Sequence, residues 1–210
     1  MVSTCWILLR ARGARPAMKV TQTEIGDVII IEPKVWGDDR GYFFESYAKH
    51  RYTEAGIPQE FVQDNVSFSR RGVLRGLHVQ NPKSQGKLVS VLAGSVYDVA
   101  VDVRRGSPTF GKFVGVELTS AKKNQIWVGP GLAHGFVVTS ETAVFSYKCT
   151  EFYSPEHEFS VSWNDPDLGI PWPLEILNHS GGGNGVELSA KDKAAPRLRD
   201  IDPARLPVYK

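Results

Sequence analysis

The segment Val96-Tyr97-Asp98-Val99-Ala100-Val101-Asp102-Val103 alternates in side-chain chemistry from one residue to the next. Its side chains fall into two sets, one of Tyr97, Val99, Val101 and Val103 and one of Asp98, Ala100 and Asp102. Successive side chains of a β-strand point to opposite faces, so this alternation predicts a strand. The valine set would lie on an apolar face and the aspartate set on the other.

Further short strands are predicted on both sides of 96–103, separated by Gly, Pro, Asn and Asp at the turns. They are residues 28–32, 42–47, 61–69, 73–80, 87–93, 113–118, 125–128, 135–139, 143–147 and 159–162. Short helices are expected at 49–55, ended by Gly56, at Ser154-Pro155-Glu156, and from Ser189 through Asp192, a capping-box pattern. Many strands with few short helices predict a mainly β domain, a double-sheet jelly roll or a barrel.

The composition sets the broad class of the protein. A chain of 210 residues is long enough for one well-packed domain. Its formal net charge of +2 gives no reason to expect nucleic-acid binding. The two cysteines, Cys5 and Cys149, form no disulfide framework, which suits the cytoplasm. No apolar stretch reaches the roughly 20 residues that would cross a membrane.

Two segments differ from the rest of the chain. Residues 1–17 join a short apolar run to Arg10, Arg12 and Arg15 without any acid, and we expect a disordered extension. The domain is then expected to span residues 18–210 and to finish with a C-terminal helical segment. The glycine-rich stretch 181–185 is predicted to be a flexible surface loop.

The run Arg75-Gly76-Leu77-His78, with Lys87 and Tyr147 further along, carries the chemistry of the chain. It supplies a base, a cation for an oxyanion, and a phenolic acid. These groups suffice to invert a carbon beside a ketone, with no metal or organic cofactor. Each also has a structural interpretation: a core histidine, a solvated cation, or a packed tyrosine.

The spacing of Arg75 and His78 poses a geometric difficulty for this assignment. On a regular strand Arg75 and His78 point to opposite faces, because they are three residues apart. A β-bulge at Gly76 would bring both side chains to the same face.

A metal site is the first alternative. A metal-binding cupin has a His-x-His pair, a nearby Glu and a later His, but here Gln80 occupies the place of the second His. Ser84 and Gln85 stand where the Glu is expected, and only His134 fits the later position. Two histidines without a carboxylate make a poor metal site, so no metal is predicted. Recognition of a diphosphate is a separate possibility. Four cationic side chains are suited to it: Arg40, Arg75, Lys87 and Lys191.

From about residue 18 to Asp192 the chain resembles the dTDP-4-dehydrorhamnose 3,5-epimerases. The resemblance rests on long motifs in order: 39–45 (DRGYFFE), 63–67 (QDNVS), 75–78 (RGLH), 85–88 (QGKL), 98–104 (DVAVDVR), 133–136 (AHGF), 147–148 (YK), 153–155 (YSP) and 163–166 (WNDP). It implies a cupin-like jelly roll that acts on a dTDP-4-keto-6-deoxysugar without a cofactor. It also implies a homodimer with exchanged N-terminal strands.

The resemblance assigns roles residue by residue. His78 would be the base, oriented by Asp192, while Lys87 would stabilise the enolate and Tyr147 would donate a proton from the opposite side. The residues that would hold the nucleotide-sugar are Arg40, Glu45, Gln63, Asn65, Arg75, His134, Glu158 and Lys191. Arg40 and Glu45 would serve the partner subunit's pocket. The stretch 173–188 is long for the family, so Asp165 and Asp167 remain alternatives to Asp192, which the capping box also explains.

Overall fold

Two antiparallel sheets face each other, and this computed structural model describes them within residues 18–175 and 186–210. The strands are β1 (Met18–Gln22), β2 (Val28–Pro33), β3 (Val35–Asp38), β4 (Gly41–Phe44), β5 (Gln63–Arg70), β6 (Leu74–Gln80), β7 (Lys87–Ala93), β8 (Ser95–Asp102), β9 (Phe113–Thr119), β10 (Gln125–Val128), β11 (Leu132–Val138), β12 (Thr142–Cys149) and β13 (Glu158–Ser160). The α-helices are α1 (Lys49–Glu54) and α2 (Ala190–Lys193), and single 3-10 turns lie at Pro155–His157, Leu198–Asp200 and Pro203–Arg205.

The strand order is that of a jelly roll. One sheet has the order β1-β2-β10-β7-β12-β5 and the other β13-β6-β11-β8-β9, while β3 and β4 form a separate hairpin. The predicted double-sheet jelly roll is confirmed. The predictions for 1–17 and 181–185 lie outside the described residues.

Three apolar layers hold the sheets. The layer between the sheets contains residues such as Val89, Phe136 and Phe145. The outer face of the five-stranded sheet packs under the C-terminal chain, through Trp172 and Leu198 among others. Both faces of the five-stranded sheet are therefore covered, and its strands contain few exposed positions.

Helix α1 covers the outer face of the six-stranded sheet. Its Tyr52 is 1% exposed, packs with Ile29 and Ile31, and donates a 2.5 Å hydrogen bond from its hydroxyl to Gln125 Oε1. Gly56 follows the helix with a φ of +95°, the conformation expected of a C-terminal glycine cap. The prediction for this helix is confirmed to within one residue.

Both aspartates of the central strand β8 are buried, although most of its other side chains are apolar. Val99 and Val101 face the layer under the C-terminal chain, whereas Ala100 belongs to the layer between the sheets. Asp98 and Asp102 are both fully buried. Asp102 is held by Arg104, Ser107 and Thr109, and these hydrogen bonds outweigh burial and lower its pKa from 3.8 to about 2.

The predicted bulge at Gly76 is present. His134 on β11 pairs with His78 and Phe136 pairs with Arg75, so three steps along β6 match two along β11. Gly76 has a φ of +124°, and a Cβ there would lie 2.5 Å from Gly135 Cα. Only glycine fits this position.

Some predictions of strand limits were wrong. The strand predicted at 42–47 ends at Phe44. It pairs with β3 in a separate hairpin and does not join either of the two large sheets. Strands β1 and β3 were missed, since Met18–Gln22 alternates weakly and every residue of Val35–Asp38 is exposed. The strand predicted from residue 135 begins three residues earlier, at Leu132.

We expect Gly76→Ala to lower the free energy of unfolding by about 3 kcal/mol or more, through the positive φ and the contact with Gly135. Gly26→Ala is the matched control, because a Cβ there meets nothing within 4 Å, and it should change stability by less than about 0.5 kcal/mol. Denaturant unfolding measures both. Equal stability of the two variants would contradict the role of the bulge.

Candidate active site

The bulge places Arg75 and His78 on the face of β6 that looks toward the other sheet. Arg75 Nε donates a 3.2 Å hydrogen bond to Ser69 Oγ on β5, the edge strand of the opposite sheet. His78 is the cross-strand partner of His134, whose ring stacks at 6.3 Å on Phe145 of the opposite sheet. One extra residue in β6 thus points a cation and an imidazole into the same space.

His78 is held by a carboxylate on one nitrogen. Its Nε2 donates to Asp192 Oδ1 at 2.7 Å, and the Asp192 side chain is only 3% exposed. Ser189 Oγ donates to Asp192 Oδ2 at 2.9 Å, and the backbone N–H of Gly76 favours the charged form of this carboxylate. Burial alone would raise the pKa of Asp192, but the contributions of His78, Ser189 and Gly76 outweigh it and hold the pKa below its ordinary value.

The ionised Asp192 can only accept hydrogen bonds, so whenever the imidazole of His78 is neutral its single proton is on Nε2. Nδ1 then holds the lone pair and is the nitrogen available as a base. The alternative acids lie elsewhere: Asp165 accepts from the backbone of Leu198, and Asp167 contacts Arg199. Geometry favours Asp192 as the orienting acid.

Lys87 and Tyr147 belong to the six-stranded sheet. Lys87 begins β7 and pairs with Cys149, and Tyr147 on β12 pairs with Val89. Within residues 18–175 and 186–210, neither Lys87 Nζ nor the Tyr147 hydroxyl has a hydrogen-bond partner. These two donors are available to a ligand that enters between the sheets.

Burial shifts the pKa of both groups. It lowers the pKa of Lys87, although the nearby Cys149, Glu158 and Asp98 act in the opposite direction. It raises the pKa of Tyr147, with further contributions from Cys149 and Glu158. Tyr147 therefore keeps its proton at neutral pH, as a general acid must.

A second histidine–carboxylate pair lies beside the first. Asp98 is fully buried, and both of its oxygens accept from His134 Nε2, at 2.9 and 3.0 Å. The sequence interpretation gave His134 a role but left Asp98 as an alternating polar residue. A carboxylate on the inner face of an apolar strand was the signal that could have identified it.

The other predicted ligands fall into two groups. Gln63 and Asn65 lie on β5, and Gln63 Nε2 donates to Asn65 Oδ1 at 3.0 Å. Asn65 pairs across the strands with Tyr147, so this amide pair adjoins the phenol. Glu158 contacts His78, and Lys191 pairs with Glu158.

Arg40 and Glu45 are not brought to this site within the single chain. Arg40 lies at the turn of the β3–β4 hairpin with a side chain 89% exposed, bonded to Asp38. Glu45 follows the hairpin and pairs with Arg51 at 2.7 Å. Neither contacts His78, Lys87 or Tyr147.

Gln80, at the position where a metal cupin has its second histidine, holds two loops together. Its amide donates to the carbonyls of Lys83 and Phe152, and its Oε1 accepts from the backbone of Ser154. Among the described residues there is no group of three metal-ligating side chains. No helix within these residues is long and apolar enough to span a membrane.

The fold and the site are those of a cupin-like enzyme, in which His78, held by Asp192 of α2, faces Lys87 and Tyr147 of the other sheet. The family model for dTDP-4-dehydrorhamnose 3,5-epimerase matches residues 22–200. The chain belongs to this family.

Similar proteins agree with this assignment. A dTDP-4-dehydrorhamnose 3,5-epimerase of Pseudomonas aeruginosa is 54% identical over 186 residues, which are 88% of this chain and 98% of that protein. A crystal structure of dTDP-6-deoxy-D-glucose-3,5-epimerase from Legionella pneumophila with dTDP-4-keto-L-rhamnose has a TM-score of 0.86 and 54% identity, and covers 92% of this chain and 99% of that one. A 3′-monoepimerase of Streptomyces bikiniensis, bound to dTDP-quinovose, has a TM-score of 0.80 at 32% identity, covering 90% and 92%.

We predict that ¹⁵N NMR of His78 will show the tautomer with the proton on Nε2, because Asp192 accepts from that atom. Asp192→Asn should move the population toward the Nδ1–H tautomer, since an amide NH₂ facing Nε2 is a donor. Asp167→Asn is the control and should leave the spectrum unchanged, because Asp167 contacts Arg199 instead. An unchanged tautomer in Asp192→Asn would exclude this pair as the orienting contact.

Proposed function

We propose that this chain inverts C3 and C5 of dTDP-4-dehydro-6-deoxy-D-glucose and so forms dTDP-4-dehydro-L-rhamnose. The observation that carries the proposal is the opposition of two pairs of side chains: His78 on the five-stranded sheet, held by Asp192 of α2, and Lys87 and Tyr147 on the six-stranded sheet. An epimerase needs a base on one side of the reacting carbon and an acid on the other. These four groups belong to one domain, which we place from residue 18 to 210.

The first step is proton abstraction. The C4 ketone acidifies the hydrogens on C3 and C5, and His78 Nδ1 takes one of them while Asp192 stabilises the resulting imidazolium. The electron pair of the broken C–H bond moves to the C4 oxygen and forms an enolate. Lys87 would stabilise this oxygen, since the developing negative charge favours the ammonium form of the side chain.

The second step is protonation from the opposite face. Tyr147 gives its hydroxyl proton to the carbon, which therefore returns with inverted configuration. The raised pKa of Tyr147 keeps the proton in place until the enolate forms. Repetition at the other carbon completes the reaction.

Substrate binding is assigned to the polar groups around these four residues. Among the described residues Arg75 is bonded only through Nε, which leaves two guanidinium nitrogens suited to a diphosphate oxygen. His134, Gln63, Asn65, Glu158 and Lys191 would contact the sugar and nucleoside. Such an enzyme would act in the cytoplasm, where nucleotide-sugars are made, and it would not bind nucleic acid.

The reaction in heavy water tests the proposal. We expect deuterium at both C3 and C5 of the product, because each carbon loses its proton and receives one that has exchanged with solvent. NMR of the sugar reads both positions at once. Label at one carbon would favour a single-site epimerase, and binding of dTDP-sugars without any label would favour a non-catalytic binder.

Two variants separate the roles in the same experiment. His78→Asn should stop exchange at both carbons, a loss of at least about 100-fold. Tyr147→Phe should retain part of the proton abstraction but lose productive inversion. Wild-type behaviour of Tyr147→Phe would remove Tyr147 from the mechanism.

We also propose that two chains form a homodimer that exchanges the β3–β4 hairpins. All four residues of β3 are exposed, and Tyr42 and Phe43 on β4 are 61% and 69% exposed. Strand β5 is an open sheet edge on which Val66 and Phe68 are exposed to a similar degree. An exposed hairpin and an open edge are complementary, since added strands satisfy the unpaired backbone.

Complementation between two inactive variants tests whether Arg40 serves the other subunit. Arg40→Ala and His78→Asn should each be inactive alone, but coexpression should restore about a quarter of wild-type activity. Half of randomly assembled dimers are mixed, and each mixed dimer has one intact site of two. Light scattering checks the dimer mass. No recovery of activity, with dimers present, would place Arg40 in the pocket of its own chain.

A further inference from the structure

Glu158 lies beside the free nitrogen of the base. It begins β13, which pairs with β6 so that Glu158 is opposite Gln80 and Ser160 opposite His78. Its side chain is 14% exposed, and its Oε1 is 3.9 Å from His78 Nδ1. His78 is therefore flanked by two carboxylates, Asp192 on Nε2 and Glu158 near Nδ1.

The two oxygens of Glu158 have different surroundings. Oε2 accepts a 2.9 Å hydrogen bond from the Tyr153 hydroxyl and a second hydrogen bond from Lys191 Nζ. Oε1 has no hydrogen bond to any residue in 18–175 or 186–210. One oxygen thus anchors the carboxylate, and the other faces the base with both lone pairs available.

The proton balance of the proposed reaction requires an exit near His78, and this inference rests on that proposed function. Each inversion leaves one proton on His78 Nδ1 and removes one from Tyr147. Nε2 is engaged with Asp192, so the proton cannot leave on that side. If two carbons react in one binding event, Nδ1 must lose its proton before the second abstraction.

We propose that Glu158 Oε1 takes this proton from His78 Nδ1 between the two inversions and passes it to solvent. The N–H bond breaks and an O–H bond forms, which regenerates neutral imidazole and leaves a neutral carboxyl group. Loss of that proton to water restores the carboxylate, while the Tyr147 phenolate takes a proton back from solvent, so that the proton count of the site is restored before the second inversion. A modest turn of either side chain closes the gap from 3.9 Å to hydrogen-bond distance.

The surroundings of Glu158 suit a transient carrier. Burial would raise its pKa, but Lys191, the charge of His78 and Tyr153 together hold the pKa below the ordinary value. Glu158 is thus ionised at neutral pH and releases a proton readily. Tyr153 is 51% exposed and the Lys191 side chain 46%, so the anchored oxygen lies near the surface.

Glu158→Gln tests the proposal, because the amide oxygen still accepts from Tyr153 and Lys191 while the basic oxygen is lost. In heavy water, with enzyme in saturating excess so that weaker substrate binding does not limit either step, the second exchange should slow on the order of 100-fold relative to the first. A sugar labelled at one carbon should accumulate. Imidazole buffer at constant pH should accelerate the second exchange in the variant, whereas the wild-type rate should not depend on buffer concentration.

Two further variants make the result decisive. Glu156→Gln alters a neighbouring carboxylate that is 64% exposed, and it should behave as wild type. Glu158→Asp keeps a carboxylate and should need no added buffer. Equal slowing of both exchanges in Glu158→Gln, or equal buffer dependence in the Asp and Gln variants, would overturn the proposal. Absence of exchange in the wild type would instead overturn the proposed function.

Discussion

The contact between Gly76 and the backbone of β11 is the constraint on which the site depends. It adds one residue to β6 at a place where no Cβ fits, with Gly135 and the carbonyl of His134 on the other side. Because of that extra residue, Arg75 and His78 face the same way. The N–H of Gly76 also favours the charged form of Asp192, so the bulge acts on both the base and the carboxylate that holds it.

The two sheets contribute different kinds of groups. On the five-stranded sheet the imidazoles are already engaged, His78 with Asp192 and His134 with Asp98. On the other sheet Lys87 and Tyr147 have no hydrogen-bond partner among the described residues. The groups of the five-stranded sheet are therefore preorganised, and those of the six-stranded sheet are donors without a partner. Little reorganisation of the site is needed when a ketone enters.

The charged groups of the site also form one cluster. Three buried or half-buried carboxylates, Asp98, Glu158 and Asp192, lie around two imidazoles and Lys87. A buried carboxylate is tolerated only when donors surround it, and each of these has them. The site is therefore a connected polar network within an apolar jelly roll, and the loss of one member changes the environment of the others.

The sequence by itself determined the strands with strong alternation, the bulge at Gly76, the capping of α2 and the family, because these depend on local residue patterns. It did not determine the β3–β4 hairpin, the burial of Asp98, or the place of Glu158 beside His78 Nδ1. Those features depend on which strands become neighbours, and residues 78, 158 and 192 are far apart along the chain. Tertiary structure alone decided them, since the pairing of β13 with β6 and the docking of α2 bring two distant segments to the imidazole of His78.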